Sequence, residues 1–242
     1  MPFYLKQICF LIIFISLYTF SSAQLVEKVL HQQDYDIKKF HFGIAVGLNR
    51  SHYNILHSSK FLNFDSVNVI ESINNTGLNL SWTVDYKLGN HLSIRTRPAD
   101  VTYTEKAFQY SLKTPDRLRQ EDSITSKKVE GISFGIPVQL KFASDRINNF
   151  KVFIIAGARI DYDFAANVGK KENDEVLTLK RVDFSTEMGI GFHFYLPYLV
   201  LTPEIKVAHS LRNILARTDA LKYSNTIDNI SARSITFSLT FE

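Results

Sequence analysis

The side chains best equipped for chemistry in this sequence are ionisable, and many recur at every second position. Asp85 and Lys87 stand two apart, as do Arg95 and Arg97, Arg159 and Asp161, and Glu204 and Lys206; Lys141, Asp183 and Glu187 keep the polar phase of their own segments. A spacing of two places side chains on one face of a β-strand. Opposite charges gathered on such a face can be buried if they pair and hydrogen-bond. Asp85, Arg95, Arg97, Arg159, Asp161, Glu187, Glu204 and Lys206 are therefore expected to form a structural charge network. The alternative is a narrow polar path or an internal ligand site.

Catalytic signals are weak. His52 and His57 fall near Ser51, Ser58, Ser59 and Asp65, in what reads as a long loop. Histidine with serine or aspartate can serve hydrolysis or acyl transfer, but this spacing fixes no geometry. His193 and His209 fall on strand-like segments and read as satisfied polar groups. No HExxH, paired CxxC, P-loop or Gly-rich dinucleotide turn occurs. No catalytic residue, cofactor, metal ligand or small-molecule substrate is expected. The chain has 28 Lys+Arg against 24 Asp+Glu, scattered rather than clustered. That argues against a nucleic-acid partner.

The elements that must position these groups are two-faced strands. In Gly77–Lys87, Leu78, Leu80, Trp82, Val84 and Tyr86 share one face, and Asn79, Ser81, Thr83, Asp85 and Lys87 share the other. The same split recurs in Phe40–Asn49, Gly131–Phe142, Val182–Tyr195 and Ser234–Glu242. Leu92–Pro98, Lys151–Tyr162 and Leu199–Leu211 repeat it less regularly. Eight such segments, each near the roughly 9–11 residues of a tilted membrane-crossing strand, predict an all-β fold. That fold is an eight-stranded antiparallel transmembrane up-and-down β-barrel, with lipid on the apolar face and a polar lumen.

The connections run long, short, long, short, long, short, long. The short ones are Leu88–His91, Ala143–Phe150 and the Leu196-Pro197 corner. The long ones are about Arg50–Thr76, Ala99–Lys128, Asp163–Arg181 and Arg212–Arg233. Outer-membrane barrels pair short periplasmic turns with longer external loops, so both termini are expected in the periplasm of a Gram-negative bacterium. Phe40, Tyr86, Phe142, Phe194, Tyr198 and Phe241 then fall at the periplasmic rim, where aromatics gather.

The first residues carry a positive start, an apolar run Ile8–Phe20 and a small-residue exit, Ser21-Ser22-Ala23. This pattern predicts a secretory signal peptide over 1–23. The run is too short for the roughly 20 residues of a spanning helix. The only cysteine, Cys9, lies inside it, so no disulfide, thiol nucleophile or lipid anchor is expected. Residues 24–39 read as a periplasmic lead, a short helix or a disordered stretch, and 40–242 as the barrel domain.

Several segments resemble the PorT family. They are DFSTEMGIGFHFYLPYLVLTPEIKVAHSL (Asp183–Leu211), LKYSNTIDNISARSITFSLTFE (Leu221–Glu242), FHFGIAVGLN, WTVDYKLGNHLSIRTRP and PVQLKFASDRINNFK. The FYLPY…PEIK segment and the closing TID…R…FSL-FE pattern are the specific parts; the rest is general barrel pattern. The strand motif reads RPAD, without a glycine after Arg-Pro. The resemblance implies an outer-membrane component of the type IX (Por) secretion system of Bacteroidetes, with secretion-system proteins and membrane lipid as partners and a link to gliding in gliding species. It brings no catalytic residues. The alternatives are a general small barrel, structural or weakly conducting, and a rim enzyme acting on lipid or peptide.

Overall fold

The computed structural model describes residues 29–57, 67–73, 75–112, 124–164, 179–216 and 227–242. The segment assigned to a signal peptide lies outside these residues. The chain divides into two units, Met1–Leu30 and His31–Glu242; within the first, only Val29 and Leu30 are described, and both are exposed.

The second unit opens with a 3-10 helix, Gln33–Asp36, followed by strands β1 (Phe40–His57), β2 (Val67–Ile73), β3 (Asn75–Lys87), β4 (Leu92–Leu112), β5 (Ile124–Ala143), β6 (Phe150–Asp163), β7 (Val182–Tyr195), β8 (Val200–Ser210) and β9 (Ile227–Phe241). Every pairing is antiparallel. β2 and β3 both run along β4, on either side of position 74, and act as one stave. β4 pairs with β5, and β1 pairs with β9, so the sheet closes into an eight-stave barrel; among the described strands only β2 is paired on one side alone, to β4.

Alternation decides which face is which. Ile44 is 59% exposed, while Ala45 beside it is fully buried. The same inversion runs round the barrel: Leu80, Trp82, Ile136, Val138, Ile154, Met188, Ile205 and Phe237 face outward, and Thr83, Asp85, Arg95, Gln139, Glu187, Glu204 and Thr240 are buried. Apolar outside and polar inside is the reverse of a soluble core and suits a wall bathed in hydrocarbon. Among the described residues no helix is long and apolar enough to cross a membrane; the crossing is made by strands.

The strands are longer than the sequence pattern indicates. β4 has 21 residues, a path of about 70 Å at about 3.3 Å per residue. Tilted by about 40°, it rises about 50 Å, twice the ~25 Å apolar band of such barrels. Strand therefore extends into the segments expected as loops at Arg50–Thr76, Ala99–Lys128 and Arg212–Arg233: β1 runs on to His57, β4 to Leu112, β5 begins at Ile124 and β9 at Ile227. The expected alternation fades there because the strands have left the apolar layer, while the hydrogen-bonded ladder continues. The short turns stand at 88–91, 144–149 and 196–199. In the second, Ile147 and Phe150 exchange backbone hydrogen bonds across Asn148-Asn149, and Asn148 has φ 55°, a left-handed conformation that asparagine tolerates well.

β4 carries a bulge. Its register shifts between Thr96 and Asp100 against β5, and at the same place against β3. Pro98, which has no N–H to give the ladder, sits in the shift, as expected of a strand proline. The extra residue changes the inward phase, so Ser93, Arg95 and Arg97 point inside below it and Asp100, Thr102 and Thr104 above it.

Candidate functional site

The inward faces of β3, β4, β5, β6, β7 and β8 converge on one ionic network. Arg95, fully buried, lies at its centre. Its Nη2 and Nε donate to Asp85 Oδ2 at 3.1 and 3.3 Å, and Nη1 donates to Glu204 Oε2 at 2.8 Å. Arg97 Nη2 takes the other oxygen, Glu204 Oε1, at 3.0 Å. Lys141 also donates to Asp85, and Glu242 Oε1 lies 3.8 Å from Arg95. The Phe153 ring stands against this group, its centroid 4.9 Å from Arg95 Cζ and 5.1 Å from Lys141 Nζ.

A second group lies nearer the loop end. Arg159 Nε donates to both oxygens of Asp161, at 2.7 and 2.8 Å. Its Nη1 pairs with Asp100 and, at 3.4 Å, with Glu187. Gln139 donates to Glu187, and Asn79 to Asp100. Lys206 lies between the groups, 3.7 Å from Glu204. All eight residues singled out from the sequence thus lie in the lumen and within ion-pair distance of at least one opposite charge.

Space for these side chains comes from glycines. A Cβ at Gly135 would stand 2.2 Å from Arg159 Nη2, and one at Gly191 would stand 2.3 Å from the Phe153 ring. The arrangement cross-braces opposite walls. β4 is tied to β3 and β8 through Arg95, and β6 to β4 and β7 through Arg159. His193 Nδ1 lies 2.8 Å from Thr202 Oγ1 and its ring lies against Phe153 at 4.7 Å between centroids. Ser51 and His52 are strand residues opposite Ser234 and Arg233, while Ser58, Ser59 and Asp65 lie outside the described residues. Among the described residues no group of His, Cys, Asp or Glu could hold a metal ion.

Above the network, a cavity of ≈ 140 Å³ opens toward the loop end. Beside it Tyr53, Ile227 and Ile230 pack with Leu179, Ile214 and Leu215 in an apolar cluster, where the backbone of Lys180 donates to Ile214 and that of Ile214 to Ile230.

The turn end is covered by the chain itself. The lead segment folds under the barrel at Gln32–Asp36. Tyr35 donates its hydroxyl to Glu242, stacks on His41 at 4.0 Å and meets Tyr195 edge-on at 5.4 Å. Burial first, and then the Glu242 carboxylate, push the Tyr35 phenol well above its ordinary pKa, so it stays a donor. Asp36 pairs with Arg146 at 3.2 Å and Lys151 at 3.3 Å. Burial would raise its pKa, but these two cations outweigh burial and hold the carboxyl below its usual range. Lys87 and Arg146 donate to the backbone oxygens of Asp36 and His31, and His31 N donates to Asn149 Oδ1 at 2.9 Å.

The six aromatics singled out for a rim are all exposed at or beside this end of the strands. Phe40 and Tyr86 are register partners with rings 4.8 Å apart, and Tyr198, 95% exposed, sits in a turn. Phe142 lies opposite Leu92, Phe194 opposite Leu201 and Phe241 opposite Ile44.

Sequence reasoning missed Asp100, because the bulge at Pro98 reverses the phase that a straight strand would keep. The RPAD motif, a proline inside an alternating run, was the available signal. It also missed the Tyr35–Asp36 hook, which has no periodicity to betray it.

The family model for "outer membrane protein beta-barrel domain" matches residues 23–216. Among solved structures, Neisserial surface protein A is 11% identical with a TM-score of 0.41, covering 84% of this chain and 98% of that one. OprG from Pseudomonas aeruginosa is 11% identical with a TM-score of 0.47, covering 83% and 93%. Ail of Yersinia pestis is 13% identical with a TM-score of 0.38, covering 84% and 98%. None of the curated proteins matches the chain.

Proposed function

The chain belongs to the outer membrane protein beta-barrel domain family, and we propose that it acts in the outer membrane as a non-enzymatic accessory of the type IX protein secretion system. The observation that carries the non-enzymatic reading is the lumen. Arg95, Arg97, Asp85 and Glu204 fill it wall to wall and are 0–1% exposed. A barrel filled in this way offers no channel for a folded or extended polypeptide, so its work is done on its surfaces. The resemblance of Asp183–Leu211 and Leu221–Glu242 to the PorT family supplies the secretion reading. In the proposed orientation the short turns, the hook and both ends of the chain face the periplasm, the long loops face outward, and the aromatics around Phe40 and Tyr198 mark the inner boundary of the bilayer. The lumen charges serve as a brace, and the partners are membrane lipid and other secretion-system proteins.

The test is deletion of the gene, with secretion of proteins carrying type IX C-terminal signals as the readout. Secretion should fall and return on complementation. Unchanged secretion, with the barrel verified in the wild-type outer membrane, would overturn the assignment.

A further inference from the structure

We propose that the turn-end mouth is a recognition site for a short segment with an aromatic residue beside carboxylates. The chain's own Gln32–Asp36 hook occupies it reversibly, and a partner protein presenting such a segment with more carboxylates takes its place. This inference does not depend on the secretion reading.

Three observations carry it. The first is construction. The hook is received by side chains from β1 (His41), β3 (Lys87), the 144–149 turn (Arg146, Asn149), β6 (Lys151) and β7 (Tyr195). The receptor is rigid, because each of these strands is locked in the barrel, and Arg146 is fixed over the Tyr195 ring at 3.6 Å.

The second is charge. Arg146, Lys151 and Lys87 converge on one residue, Asp36: the first two pair with its carboxylate and Lys87 donates to its backbone oxygen. The nearby buried acids are engaged elsewhere, Asp85 with Arg95 and Lys141 and Glu242 with Tyr35 and Arg95, while Asp145 is exposed to solvent. Asp34 of the hook is exposed. Two cations on one carboxylate, with a third at the backbone oxygen of the same residue, favour a ligand that brings more negative charge than the hook does.

The third is exchangeability. The hook is a single four-residue 3-10 turn in which Gln33 and Asp34 are exposed and Tyr35 and Asp36 are only partly buried by the barrel; it enters through Gln32 in a left-handed conformation with no side-chain cap. L side chains disfavour that conformation. Segments with few buried apolar contacts open locally at low free energy.

The experiment uses the full chain in detergent micelles and fluorescent peptides read by anisotropy. One peptide has the sequence of residues 31–39, HQQDYDIKK; a second, HQQDYDEKK, adds a carboxylate. Against the wild-type chain both compete with the tethered hook, and the second binds more tightly. In the Tyr35→Ala/Asp36→Ala chain, binding of both tightens at least tenfold. It disappears when Arg146→Ala and Lys151→Ala are added, or when the peptide's own Tyr and following Asp become Ala and Asn. Equal, weak binding to wild-type and hook-disabled chains that both keep folded, heat-modifiable migration overturns the proposal. Should the hook-disabled chain not fold, amide exchange in the wild-type chain decides. The Ile37 and Lys38 amides, which donate to Asp34 O at 3.2 and 3.3 Å, exchange faster on adding HQQDYDEKK if the hook is displaced; an unchanged rate at saturating peptide overturns it.

Discussion

Arg95 and Arg97 share Glu204 between them, one on each carboxylate oxygen, at 2.8 and 3.0 Å. Neither guanidinium has bulk water to fall back on. Glu204→Gln keeps the shape and leaves two buried cations facing a neutral amide. Removing one partner of a buried pair costs about 3–5 kcal/mol. The midpoint of urea unfolding in micelles, followed by the shift between folded and unfolded bands on gels, should drop accordingly. A midpoint within error of wild type would mean that the network does not brace the barrel.

Two glycines separate space from sequence. A Cβ at Gly157 would meet the Val138 carbonyl oxygen at 2.2 Å, and backbone cannot step aside cheaply; around Gly89 nothing lies within 4 Å. Gly157→Ala should therefore lower stability by about 1–3 kcal/mol, the usual range for overpacking, and Gly89→Ala should leave it unchanged. Parallel unfolding curves decide, and equal effects would contradict the packing described.

Position along the wall sets the cost of charge outside. Ile44 lies opposite Trp82 within the outward apolar band, and Tyr198 stands in a turn. Arginine on the lipid face costs about 2–4 kcal/mol at the bilayer midplane and about 0–1 near an interface. Ile44→Arg should destabilise folding into lipid vesicles several-fold more, in free energy, than Tyr198→Arg. Equal costs would place the membrane elsewhere on the barrel.

The hook should resist mild acid. Asp36 is held below its ordinary value when the hook is closed, so its contribution is complete above the unfolded carboxylate pKa of about 3.9. That contribution is lost only as pH falls through the lower folded value. The groups facing it are Arg146, Lys151, Lys87, Tyr195 and, through Tyr35, His41 and Glu242. Exchange protection at Ile37 and Lys38 should therefore show no Asp36-dependent loss until pH is below about 4, and Asp36→Asn should remove that acid step. Loss of protection well above that range in the wild type, absent from Asp36→Asn, would contradict the pairing.

Conductance tests the filled lumen directly. With Arg95, Arg97 and Glu204 wholly buried, the wild-type barrel in a planar bilayer should carry no steady current. Replacing Arg95 and Arg97 together by alanine should admit small, salt-dependent steps if the barrel still folds. Steady current through the wild type would show a path that the network does not close.

The fold was legible because the membrane imposes its own alphabet. Where one face of a strand meets hydrocarbon and the other meets the lumen, residues alternate, most cleanly from Leu78 to Lys87, and the inward charges can be read off the same register. Past the apolar layer that pressure ends: the outer reaches of β4 and β5 are strand by hydrogen bonding alone, and nothing in their composition marks them. Asp100 escaped for a different reason, since one extra residue at Pro98 shifts the inward phase of β4 to Asp100, Thr102 and Thr104. Apart from His41, the side chains that hold Tyr35 and Asp36 lie far from them in sequence, at 146, 151, 195 and 242, and no local pattern reports contacts made only after closure.

The union of β1 with β9 also governs how the molecule comes into being. Ile44 cannot meet Phe241 until every stave from β1 to β9 has been delivered to the membrane, and so distant an encounter is a slow kind of step. A stalled or shortened copy would carry two bare ribbons of amide and carbonyl into an oily environment that offers them no substitute. Cells should thus hold either the finished article or fragments destined for proteolysis, with little in between.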